Sequence, residues 1–90
     1  MQIIKFSSLW CMSCIITNQI INKLSKEYIF ELVDYDYDVD KEKVQQYNVG
    51  DILPVLIFVD DKGNEIKRLV GEQSKKDLLK VFDEVGVNLI

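Results

Sequence analysis

Histidine is absent from this 90-residue chain, proline and tryptophan occur once each, cysteine twice and glycine four times. Each scarcity excludes something. A structural zinc site takes four ligands, so two cysteines and no histidine leave only Cys₄ ligation shared between two chains, or an iron–sulfur cluster, as a metal reading. The low glycine and proline content, with no biased tract and 48% hydrophobic residues, excludes a disordered or fibrous chain and predicts a packed globule. Excess positive charge is also missing. The formal net charge of −4 counts against a nucleic-acid partner.

No apolar stretch approaches the roughly 20 residues of a membrane span, so no membrane partner is expected. The opening Met1-Gln2-Ile3-Ile4-Lys5-Phe6 enters a strand-like run without a basic and then apolar leader, which predicts a cytoplasmic protein. In that compartment thiols are kept reduced, and two cysteines read as working thiols rather than a structural staple. A Cys-x-x-Cys bridge closes too short a loop to constrain the unfolded chain much.

The length predicts one domain over residues 1–90. Gln2 to Phe6 reads as a buried strand. A helix follows from Cys11 to about Lys26, with Ile15, Ile16, Ile20, Ile21 and Leu24 as its apolar positions. Tyr28 to Asp34 reads as a second strand, and Asp40 as the cap of a short helix reaching about Tyr47. After Pro54, the run Val55-Leu56-Ile57-Phe58-Val59 has the unbroken apolar character of a strand buried on both faces. Asp60 to Asn64 predicts a hairpin turn, and Glu65 to Val70 the returning strand. Ser74 with Asp77 forms a capping-box pattern, Leu78, Leu79, Phe82 and Val85 point a last helix inward, and Gly86 closes it. The order β-α-β-α-β-β-α predicts an α/β fold: a four-stranded mixed sheet flanked by helices.

The two cysteines fall where the first strand hands over to the first helix. Residues three apart on a helix share a face, so Cys11 and Cys14 can meet as a disulfide. The partial positive charge and free N–H groups of a helix N-terminus favour thiolate over thiol. The geometry predicts Cys11, at the turn, as the nucleophile that attacks a substrate disulfide, and Cys14, inside the first turn, as the thiol that resolves the mixed disulfide.

Here the chain resembles the thioredoxin family. Trp10-Cys11-Met12-Ser13-Cys14 is similar to its Trp-Cys-x-x-Cys active site, Ile52-Leu53-Pro54-Val55 to the segment whose cis proline faces the cysteines, and Val70-Gly71 to the pair that lines the substrate groove. The likeness spans nearly the whole chain, without the strand and helix that precede this core in full-length thioredoxins. It implies a minimal thioredoxin fold and a reductant of protein disulfides that needs no cofactor and is recycled by a thioredoxin-reductase-type donor. It also implies substrate contacts at Trp10, Met12, Leu53, Pro54 and Gly71, with the backbone of Leu53 open to an extended substrate segment.

Two departures stand out. Met12-Ser13 replaces the usual Gly-Pro between the cysteines, so the reduction potential is not inherited. Lys5 stands six residues before Cys11, where thioredoxins carry a buried aspartate that helps move the resolving cysteine's proton. Two readings of Lys5 are open: a cation that favours thiolate at the cysteine pair, or a side chain that snorkels its head group to solvent.

Other readings compete. Glutaredoxins share the small fold, but their Cys-Pro-Tyr-Cys, Thr-Val-Pro and Gly-Gly signals are replaced here by Cys-Met-Ser-Cys, Ile-Leu-Pro and Val-Gly-Glu-Gln. A non-catalytic thioredoxin-fold adaptor would use the same groove and tolerate loss of Cys11. The run Asp34 to Asp40 invites a calcium loop, but Val39 stands where glycine is needed and Gln45 where the bidentate glutamate belongs, leaving a solvated turn.

Overall fold

A computed structural model describes residues 1–90. The elements run β1 (Gln2–Ser7), α1 (Met12–Leu24), β2 (Tyr28–Ile29), β3 (Glu31–Asp36), α2 (Lys41–Gln46), β4 (Val55–Val59), β5 (Glu65–Val70), α3 (Lys75–Val85) and β6 (Asn88–Leu89). The main sheet has the order β3-β1-β4-β5, with β1 parallel to β3 and antiparallel to β4, and β4 antiparallel to β5. The mixed sheet expected from the order of elements is therefore present. No helix is long and apolar enough to cross a membrane.

The two faces of the sheet build two cores. Alternation along β4 sends Leu56 and Phe58 to one face, where Ile3, Ile21, Leu24, Leu78 and Phe82 meet them. It sends Val55, Ile57 and Val59 to the other, against Ile4, Phe6 and Leu53. All five residues of β4 are buried, as their unbroken apolar run predicts. The hairpin turn is closed by hydrogen bonds from Asp60 N–H to Asn64 O (3.0 Å) and from Gly63 N–H to Asp60 O (3.0 Å). The capping box of α3 is complete: Ser74 Oγ accepts from Asp77 N–H, and Asp77 Oδ2 accepts from Ser74 N–H, each at 3.1 Å. Gly86 ends α3 with φ +83°, a left-handed conformation glycine adopts without strain.

Four local expectations need correction. The stretch read as one strand from Tyr28 breaks at Phe30, whose ring packs edge-on against Phe82 at 5.6 Å. Tyr28 and Ile29 pair instead with Leu89 and Asn88, a partner from the far end of the chain that no local pattern announces. The helix α1 stops at Leu24 and turns inward along Cys14, Thr17, Ile21 and Leu24. At about 100° per residue, Ile15 and Ile16 fall off that stripe, and both are exposed. Finally, Asp40 sits at the N-cap of α2 without capping it; its Oδ2 accepts instead from Asp36 N–H at 2.8 Å.

Candidate active site

The strand β1 ends at Ser7, and Ser8 to Trp10 carry the chain to Cys11, the N-cap of α1. Cysteine occupies a position usually held by Ser, Thr, Asp or Asn, because its sulfur here plays the capping part. Cys11 Sγ accepts from Cys14 N–H at 3.2 Å. Its other neighbour is the Leu53 carbonyl, 3.7 Å away, toward which the thiol donates. A sulfur in this place faces the free N–H end of a helix, which steadies negative charge on it. Cys11 retains 8% of its exposure and Cys14 none, and both are free thiols.

Burial, first, and the hydrogen bond with Cys11, second, push the Cys14 thiol up from 9.0 to about 12. The charge on Cys11 adds to the rise, while the backbone at Ser8 and the charge of Lys5 pull the other way. Cys14 is thus held as a thiol in the dithiol form.

The remaining residues singled out from the sequence assemble around Cys11. The Leu53–Pro54 peptide bond is cis. Leu53 as a residue is buried, and its backbone N–H makes no hydrogen bond within the chain. Gly71 N–H donates to Pro54 O at 2.8 Å, tying the end of β5 to the cis-proline segment. Gly71 has φ +94°, in the region that disfavours side chains, and lies against Ile52. Trp10 is 65% exposed, and Leu9, Met12, Ile52 and Val70 are exposed apolar side chains as well. Clefts of about 230 to 390 Å³ elsewhere on the molecule are lined by neither Cys11, Cys14 nor Pro54. The site is an open surface rather than a small-molecule pocket.

Lys5 overturns the snorkelling reading. Its residue is 3% exposed, and its Nζ lies 3.2 Å from Asp34 Oδ1. The two residues are register partners on β1 and β3. Sequence reasoning missed Asp34, and it missed Asp38, whose Oδ2 accepts from Trp10 Nε1 at 2.9 Å. It also missed Thr17, buried on α1, whose hydroxyl accepts from Gln73 N–H at 3.4 Å. The acidic run that suggested calcium is spent on the turn: Asp36 Oδ1 accepts from Asp38 N–H and Val39 N–H.

The thioredoxin family model matches residues 1–84. The chain belongs to the thioredoxin family. Curated thioredoxins agree: one from Mycobacterium tuberculosis (strain ATCC 25618 / H37Rv) is 27% identical over 89 residues, covering 97% of this chain and 75% of the relative. A thioredoxin from Staphylococcus aureus is 26% identical over 85 residues, covering 92% and 80%. Among solved structures, a thioredoxin from Nicotiana alata superposes with a TM-score of 0.83 at 26% identity, covering 92% of this chain and 70% of that one. Reduced thioredoxin pre-protein from Schistosoma mansoni gives 0.79 at 25% identity, covering 94% and 75%. With the two cysteines of its active-site turn in contact, this member of the family is a thiol–disulfide oxidoreductase. Thioredoxins act on protein disulfides, and the open site suits such a substrate.

Proposed function

We propose that the protein reduces disulfides of protein substrates in the cytoplasm, with Cys11 as the attacking nucleophile and Cys14 as the resolving thiol. The observation that carries the assignment of roles is the asymmetry of the pair. Cys11 Sγ caps the helix and keeps a window to solvent, whereas Cys14 is sealed and held as a thiol. Cys11 attacks the substrate disulfide and forms a mixed disulfide. Cys14 then attacks Cys11 Sγ and releases the second substrate thiol.

Trp10, Met12, Pro54 and Gly71 form the substrate-facing surface in this reading. An extended substrate segment beside the cysteines would take the unpaired Leu53 N–H as one added-strand hydrogen bond. The oxidised protein returns to the dithiol through a thioredoxin-reductase-type electron donor.

The test is the reduction potential of the Cys11–Cys14 pair, measured by equilibration in graded glutathione or dithiothreitol buffers with trapping of free thiols. The reading expects roughly −270 to −230 mV, a range whose lower end is the value known for thioredoxins themselves. A value of roughly −180 to −120 mV would make the protein an oxidant or isomerase instead.

A further inference from the structure

Beside the active-site turn lies a cleft of about 390 Å³ that the thiol chemistry does not use. Asp34, Asp36 and Asp40 stand on its lining, and no lysine or arginine does. One oxygen of each carboxylate is engaged: Asp34 Oδ1 by the Lys5 ammonium, Asp36 Oδ1 by Asp38 N–H and Val39 N–H, and Asp40 Oδ2 by Asp36 N–H. The second oxygen of each is left for another donor. Lys5 offsets one of the three charges, so the cleft stays negative.

Acidic side chains are common on a chain of net charge −4 and mark no site by themselves. A second observation singles out this cleft. Ser8 is only 7% exposed, yet its Oγ has no hydrogen-bond partner, and the buried Asn18 Oδ1 is equally unpaired. These are the only buried side-chain oxygens or nitrogens in the protein without a partner, and both residues line this cleft. A buried acceptor left unpaired costs stability that an incoming donor recovers, and an amide oxygen can only accept. The occupant therefore carries donors and positive charge. No three carboxylates converge closely enough to hold a metal ion. The exposed apolar side chains of Leu9 and Ile15, also on the lining, suit an aliphatic stem. An ammonium or guanidinium on such a stem meets all of these demands.

We propose that this cleft is a specificity subsite that takes a lysine or arginine side chain of the protein whose disulfide Cys11 attacks. The inference rests on the disulfide-reductase reading above. Cleft and nucleophile are built on one turn: Cys11 N–H donates to Ser8 O at 3.4 Å, and Ile15 N–H donates to Cys11 O at 3.3 Å. A single substrate segment spans both. The contacts are charge-assisted hydrogen bonds, which salt weakens.

The test uses reduced protein and symmetrical disulfide-linked peptides in which one lysine is walked along the positions flanking the cysteine. Each is compared with its N-acetyl-lysine twin, which keeps the stem and loses the charge. At the best position the lysine peptide is expected to be reduced about tenfold faster at low ionic strength, narrowing to about twofold at about 0.5 M salt. Asp36→Asn combined with Asp40→Asn, which keeps the acceptors of the turn, is expected to bring the ratio below about threefold. Asp61→Asn with Asp83→Asn removes the same charge outside the cleft and is expected to keep the wild-type ratio. Should the first double variant fail to fold, Asn18→Leu is expected to lower the ratio at least about twofold. A wild-type ratio near one at every position, or an equal fall in both double variants, would overturn the proposal. So would free spermidine slowing both twins alike while the ratio stays near one, since the occupant would then be a free amine. A protein that reduced neither twin would instead refute the disulfide-reductase reading beneath it.

Discussion

Replacing Cys14 by alanine should change how stability depends on pH, by an amount the structure sets. Cys14 is fully buried and ionises only at about 12, whereas its ordinary value is 9.0. The sign follows from proton counting. Above pH 9.0 the unfolded chain gives up the Cys14 proton while the folded chain keeps it, so stability falls as pH rises, and the fall continues until about 12. One unit above 9.0 the unfolded thiolate outweighs the thiol about tenfold, a loss on the order of 1 kcal/mol relative to neutral pH.

Urea unfolding of the reduced protein at about pH 7 and pH 10 gives the measurement, run in parallel on wild type and Cys14→Ala. Lysine and tyrosine titrations are common to both proteins and drop out of the comparison. Wild type is expected to lose about 1 kcal/mol more than the variant between the two pH values. A stability difference between the two proteins that stayed constant across that interval would show that Cys14 ionises as readily folded as unfolded, and the argument from burial would fail.

Other substitutions probe the frame around the thiols. Gly71→Ala forces a side chain onto a backbone at φ +94°, and since its Cβ would meet only Ile52 Cγ2 at an ordinary 3.7 Å, the cost is backbone strain of about 1–2 kcal/mol. A urea midpoint equal to that of wild type would contradict this. Asp38→Ala removes the acceptor of Trp10 Nε1 and, because Trp10 is the only tryptophan, should lower fluorescence anisotropy with less than about 1 kcal/mol change in stability. An unaltered anisotropy would mean that packing, not Asp38, holds the indole. Ser74→Ala should cost about 1 kcal/mol through loss of the α3 cap, read as a lower thermal midpoint. Hydrogen bonds from Ser74 hold the Asp77 carboxyl below its ordinary 3.8, so its stabilisation is present above that value and fades as pH falls through the lowered one. Asp77→Asn should therefore flatten the acid limb of an unfolding curve; an acid limb of wild-type steepness would argue against the linkage.

The features legible in the sequence are those whose cause lies within a few residues. Val55–Val59 is buried on both faces because its apolar character is continuous, and that can be read without knowing what covers it. The Ser74–Asp77 box and the Gly86 stop are closed by atoms three or four residues apart. The placement of Cys11 and Cys14 at a strand-to-helix junction is local too, and with the Trp-Cys-x-x-Cys pattern it was sufficient to identify the chemistry.

Tertiary structure decided everything whose partner is distant in sequence. Lys5 shows no sign in the chain of its bond to Asp34, because adjacent strands are brought together by a crossover of more than twenty residues. The isoleucines of α1 divide between core and solvent according to where the sheet lies, which period alone leaves open. The break at Phe30 depends on a two-residue strand at the other end of the chain. The Leu53 carbonyl beside Cys11 Sγ, 42 residues away in sequence, exists only once β4 lies against β1. Sequence alone therefore pointed to the two thiols of the proposed reaction. The charges and carbonyls that surround those atoms were decided by folding, since electrostatic partners act through space and leave no period along the chain.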